Sequence, residues 1–198
     1  MAFSKHSRLL VFTLSVLSVT IAVASAKFEQ KLLSINQKDK KVTFTFYHFD
    51  SSKSVILADV SENVGDTAAK QHSNAAISAS AITEFTYLSG KFVFPPTSNS
   101  YLIKDGAITD PATSLRSYKR TFILTDDKSR HALCYAPSVS ETELDYALQQ
   151  YLTTSKTKFT SAVLIHSGNQ CGFYKTNGRY RPYYLKELKK PAKALLVK

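Results

Sequence analysis

The sequence predicts an α+β fold: a single domain with a mixed β-sheet and a few helices. Three observations carry that reading. Short apolar or alternating runs recur along the chain, as strands require. Only two segments show a helical pattern. Each of the two precedes a strand of small or apolar residues, which sets helices around a sheet.

The elements follow in order. Phe28 to Leu33 and Lys41 to Phe49 read as a first strand pair, with Asn36-Gln37-Lys38-Asp39-Lys40 as the turn. In Val42-Thr43-Phe44-Thr45-Phe46-Tyr47 polar and apolar residues alternate, the period of a half-buried strand. Ser54 to Asp59 is a third strand. Asp66 to His72 has an acidic start and a basic end, which suits a short helix and its dipole. Asn74 to Ala81 is small and apolar, a close-packed central strand. Tyr101 to Ile108 is a hairpin with a tight Asp105-Gly106 turn. Arg120 to Thr125 and His131 to Tyr135 form another, joined by Asp126-Asp127-Lys128-Ser129. Ser140-Glu141-Thr142-Glu143 has the spacing of a capping box. Leu144, Ala147, Leu148 and Tyr151 then share one face of a helix over about 141–154. Phe173-Tyr174 and Ala194 to Val197 close the sheet.

The amino terminus reads as a secretory signal. Lys5, His6 and Arg8 are followed by an apolar run from Leu9 to Ala24, and Ala24-Ser25-Ala26 offers a cleavage site. The mature chain, residues 27–198, is expected to be secreted or periplasmic, with no integral membrane segment after cleavage. Losing Lys5 and Arg8 with the leader reduces the formal net charge from +11 to +9. A basic exported protein meets anionic surfaces such as phosphate-bearing glycans. Nucleic acid fits the charge but not the route. From Lys175 to Lys198 eight Lys or Arg residues face a single acid, Glu187, with Tyr174, Tyr180, Tyr183 and Tyr184 interleaved. That mixture suits sugar stacking beside phosphate contact, and describes a solvated surface equally well. The two cysteines, Cys134 and Cys171, are expected to pair in an oxidising compartment. No metal-ligand spacing is present, and no cofactor is indicated.

The segment Thr160 to Gly172 concentrates the chemistry. The buried run Ala162-Val163-Leu164-Ile165 breaks abruptly into His166-Ser167-Gly168-Asn169-Gln170-Cys171-Gly172. A rigid strand followed by polar residues and glycine is a setting for ligand groups, and also for an ordinary turn. His166 could act as acid or base near neutral pH. Ser167, Asn169 and Gln170 could bond sugar hydroxyls or satisfy turn amides. Asp59, Glu62, Asp66 and Glu84 are available carboxylates, but no spacing selects a pair.

Taken together, these blocks resemble the phosphodiester glycosidase family. Asn74-Ala75-Ala76-Ile77-Ser78-Ala79-Ser80 resembles its alanine-rich strand leading to an Asn-Gly-Gly loop, with Ser78 at the asparagine. Ser100 to Gly106 resembles its hairpin, Lys119-Arg120-Thr121-Phe122-Ile123 its Arg-Thr strand, and Ala162 to Cys171 its Asp-Gly-Gly block. His166 stands at the aspartate and Ser167 at the first glycine; Gly168 keeps the second. The resemblance implies hydrolysis of a glycosyl phosphodiester or related glycoside, with Arg120 clamping phosphate and His166 as acid or base. Ser78, Ser167, Gly168, Asn169 and Gln170 would contact substrate. Because histidine cannot stabilise a cationic sugar as a carboxylate does, the alternative is a non-catalytic domain binding a phosphorylated or otherwise anionic glycan. A Ser78–His166 pair is a further arrangement the blocks allow, with no third member named.

Overall fold

A computed structural model describes residues 26–80, 85–94, 101–109, 116–155, 157–178 and 180–198. The leader lies outside these apart from Ala26, and Glu84 lies outside them too. In chain order the elements are β1 (Lys27–Ser34), β2 (Lys41–Phe49), β3 (Val55–Asp59), α1 (Val64–Lys70), β4 (Ala75–Ser78), β5 (Thr86–Leu88) and β6 (Lys91–Val93). There follow β7 (Tyr101–Lys104), β8 (Ala107–Ile108), β9 (Tyr118–Asp126), β10 (His131–Val139), α2 (Glu141–Thr154), β11 (Phe159–Ser167), β12 (Phe173–Asn177), β13 (Tyr180–Leu185) and β14 (Lys193–Val197).

The α+β class holds, and the strands divide between two main sheets. Seven strands run in the order β1-β2-β10-β9-β11-β7-β8, and five in the order β13-β12-β4-β14-β3. Strands β5 and β6 form a separate hairpin. Every described pairing is antiparallel.

Side-chain alternation builds the layers. Along β9, Phe122 and Leu124 join Leu144, Ala147, Leu148 and Tyr151 of α2 in one core. Ile123, between them, joins Ala75, Ile77, Phe173, Leu195 and Val197 of the second sheet. Ala76, Ala194 and Leu196 face the other way, onto Val64 and Ala68 of α1. The order is therefore helix, seven-stranded sheet, five-stranded sheet, helix. This is the outcome expected when successive side chains point to opposite faces and both faces must be covered. Tyr151 stacks on Phe46, with ring centres 4.6 Å apart. Such a pair contributes about 1 kcal/mol beyond its buried area.

Both helices start as their caps dictate. The Glu143 amide donates to the Ser140 hydroxyl (3.2 Å), and the Ser140 amide donates to the Glu143 carboxylate (2.8 Å). The first helix begins two residues before Asp66, because Asn63 is the cap and accepts from the Asp66 amide (2.8 Å). No described helix is long and apolar enough to cross a membrane.

The expected Cys134–Cys171 disulfide is not formed; both cysteines are buried free thiols. The layering explains it. Cys134 sits opposite Phe122 and Phe46 and faces α2, whereas Cys171 belongs to the core between the sheets. The seven-stranded sheet separates the two.

Candidate functional site

The sequence-derived site residues gather at one end of the sheets, where β9 begins and β11 ends. In the ladder Ser167 opposes Arg120 and His166 opposes Thr121. The register slips between Leu164 and His166, so Ile165 and His166 share a single partner residue. A bulge of this kind re-aims side chains at the end of a strand. The Thr121 hydroxyl donates to the Ser78 carbonyl (2.8 Å), which ties β4 of the second sheet to the same place.

Ser78 is wholly buried, and its hydroxyl accepts from the Gly172 amide (2.7 Å) while its own amide donates to the Gly172 carbonyl (3.2 Å). It holds the loop; it does not face a ligand. Gly168 has φ of 103°, a conformation that side chains avoid, and its amide donates to the Lys119 carbonyl (2.8 Å). The Cys171 thiol donates to that same carbonyl (3.2 Å), and burial pushes its pKa up to about 12. It is a packed thiol, not a nucleophile.

Arg120 departs from the expected phosphate clamp. It is only 2 % exposed and points toward the start of α2. Its guanidinium donates to the Tyr118 carbonyl (3.1 Å) and to the Val139 carbonyl, and stands 3.8 Å from the Glu141 carboxylate. Burial lowers its pKa, opposed chiefly by Glu141. The planar fork of donors is spent on the protein's own backbone.

His166 is 8 % exposed, and neither ring nitrogen has a hydrogen-bond partner. The Ser78–His166 pair is therefore not made. Burial holds the imidazole below its ordinary pKa, against an opposing pull from Gln170. It is neutral at pH 7, which suits a base more than an acid.

The exposed face of this end is elsewhere. Ser167 and Asn169 are exposed, and so are Lys186, Lys189 and Lys190 from the segment after β13. Three hydrogen bonds join the two stretches. The Leu188 and Lys189 amides donate to the Asn169 carbonyl (2.8 and 3.1 Å), and the Gln170 side chain donates to the Lys190 carbonyl (2.9 Å). Hydroxyl, amide and ammonium groups thus lie on one continuous strip. The sequence marked both stretches separately but held no signal that they meet.

Sequence reading also passed over Glu187, which is 5 % exposed and lies against Gly172. A lone acid within a basic run was the available signal. Among the described residues no group of three metal-binding side chains occurs. Two clefts, of about 370 and 630 Å³, are lined respectively around His48 and Arg130 and around Lys38 and Tyr146; neither includes Ser78, Arg120 or His166.

No protein-family model matches the sequence, and no curated protein matches it. Solved structures do. The zebrafish N-acetylglucosamine-1-phosphodiester alpha-N-acetylglucosaminidase catalytic domain, auto-inhibited by its pro-peptide, superposes with a TM-score of 0.56 at 10% identity, covering 87% of this chain and 82% of that one. A hypothetical protein from Synechocystis superposes with a TM-score of 0.62, also at 10% identity, over 86% of this chain and 61% of that one. In fold, then, this chain is similar to a phosphodiester glycosidase catalytic domain, the likeness that its sequence blocks implied.

Proposed function

We propose that the chain is a non-catalytic binding domain for phosphorylated or other anionic glycans, built on a phosphodiester glycosidase-like fold and exported. One observation carries the reading: the polar loop 167–170 is stitched to the exposed lysines of 186–190. Sugar hydroxyls need neutral donors and acceptors, and a phosphate needs cations beside them; this strip offers both. Arg120 and Ser78, the side chains that would serve a hydrolase, are turned inward onto backbone groups. The zebrafish fold neighbour is named for its action on an N-acetylglucosamine 1-phosphodiester, which selects the sugar phosphate to try first.

Binding of N-acetylglucosamine 1-phosphate, compared with N-acetylglucosamine, tests it. The phosphorylated sugar should bind more tightly, and the difference should shrink as salt screens the lysines. Lys189→Glu with Lys190→Glu should abolish the preference. Equal binding of both sugars, or none, rejects the reading. Hydrolysis is the second reading, favoured by the neutral, unpartnered imidazole of His166. It requires turnover of a chromogenic diester of N-acetylglucosamine 1-phosphate that His166→Ala removes.

A further inference from the structure

We infer that Glu187 is the positioning residue of the glycan-binding strip, an inference that rests on the anion-binding reading above. Its carboxylate is buried although its neighbours Lys186, Leu188 and Lys189 are exposed. Both oxygens are engaged. One accepts from the Val64 amide (2.8 Å), the first residue of α1 and one of the amides a helix leaves unpaired at its start. The other accepts from the Tyr184 hydroxyl (2.5 Å). Gly172 packs so closely that a Cβ there would stand 2.7 Å from the same oxygen. One side chain therefore joins α1, the lysine segment and the loop end.

The role has a sign that electrostatics alone would reverse. A carboxylate amid lysines weakens the local positive field, so removing it should tighten anion binding if charge were all that mattered. If Glu187 instead holds the segment in register with Asn169, removing it frees Lys186, Lys189 and Lys190 from the loop, and binding weakens.

The test compares Glu187→Ala, Glu187→Gln, Gly172→Ala and Asn63→Ala, using N-acetylglucosamine 1-phosphate as probe and exchange of the Leu188 and Lys189 amides as a ligand-free readout. Glu187→Ala should lose about tenfold or more in affinity, and those two amides should exchange about tenfold faster or more. Glu187→Gln should stay within about threefold on both counts, since its carbonyl still accepts from Val64 and its amide can donate to Tyr184. Gly172→Ala, which displaces the carboxylate from outside, should follow Glu187→Ala and serves where that variant does not fold. Asn63→Ala weakens the cap of α1 and removes the second acceptor of the Tyr184 hydroxyl (3.1 Å) while leaving the Glu187 carboxylate in place, and should leave both readouts near wild type. Affinity kept or raised in Glu187→Ala overturns the inference, as does an Asn63→Ala variant that loses as much. If the unmodified protein does not bind the probe, the anion-binding reading fails; amide exchange then decides the positioning role, and unchanged exchange in Glu187→Ala and Gly172→Ala rejects it.

Discussion

Two buried histidines flank opposite ends of β9, His131 on β10 beside Thr125 and His166 on β11 beside Thr121, and they are treated very differently. His131, where β10 begins, has both ring nitrogens engaged, by the Thr125 hydroxyl (3.0 Å) and the Gly90 carbonyl (2.8 Å). Its ring packs against Phe49 and Phe92. His166, where β11 ends, has neither nitrogen engaged. Burial lowers the pKa of both. A buried polar group without a partner costs about 1–3 kcal/mol. One end of the sheet is thus built for stability, while the other leaves an imidazole with no hydrogen bond of good geometry and only the Gln170 side chain nearby. That asymmetry places the candidate site at the loop end and the tight reverse turn at the other.

The largest expected effect lies in the buried arginine of the loop end. Arg120→Ala leaves the Val139 and Tyr118 carbonyls short of a donor and opens a void, and should cost about 2–4 kcal/mol in urea unfolding. A loss under about 1 kcal/mol would mean that the guanidinium is not an internal brace, and would restore it as a candidate phosphate clamp.

His131→Ala should cost somewhat less, about 2–3 kcal/mol, through two lost hydrogen bonds and lost ring packing. Gly168→Ala should cost about 1–2 kcal/mol, because φ of 103° strains any side chain. Thermal melts of the two variants would show whether the loop end tolerates strain better than the turn end tolerates a lost histidine.

The smallest effect sharpens the comparison most. His166→Leu removes two unpaired nitrogens but also the packing of the imidazole ring, and the two effects oppose each other, so stability at pH 7 should change by less than about 1 kcal/mol. Its pH dependence has a definite sign. With the folded pKa depressed, the unfolded chain binds more protons once pH falls below about 6.5, so the histidine's contribution is full above that value and is lost as pH drops toward the folded pKa. His166→Leu should therefore gain on wild type between pH 7 and pH 5 in a melting series. A parallel pH response in the two proteins would show that the imidazole is not buried neutral.

Much of the fold was legible in local pattern. The strand at Val42 to Tyr47, the capping box at Ser140 and the small residues of Ala75 to Ser78 are each found, but the strand is not half-buried: Thr45 is buried along with Phe44, Phe46 and Tyr47, because both faces of the sheet are covered. The site was legible by position only. Alternation told that Arg120 and Thr121 face opposite ways, but not that Arg120 would meet the carbonyl of Val139, nineteen residues on. Glu187 was illegible as anything but a solitary acid, since its partners Val64 and Gly172 come from distant segments.

What the sequence by itself determined is the set of elements: periodicity and caps act within a few residues, where covalent spacing already limits the outcome. Only the tertiary structure decided which face each polar side chain serves. Layer assignment sent Cys134 and Cys171 into different cores, turned Arg120 inward and left Lys186, Lys189 and Lys190 outside beside Asn169. Those outcomes depend on which strands become neighbours. Contacts across sheets, unlike contacts along a strand, have no fixed separation in the chain.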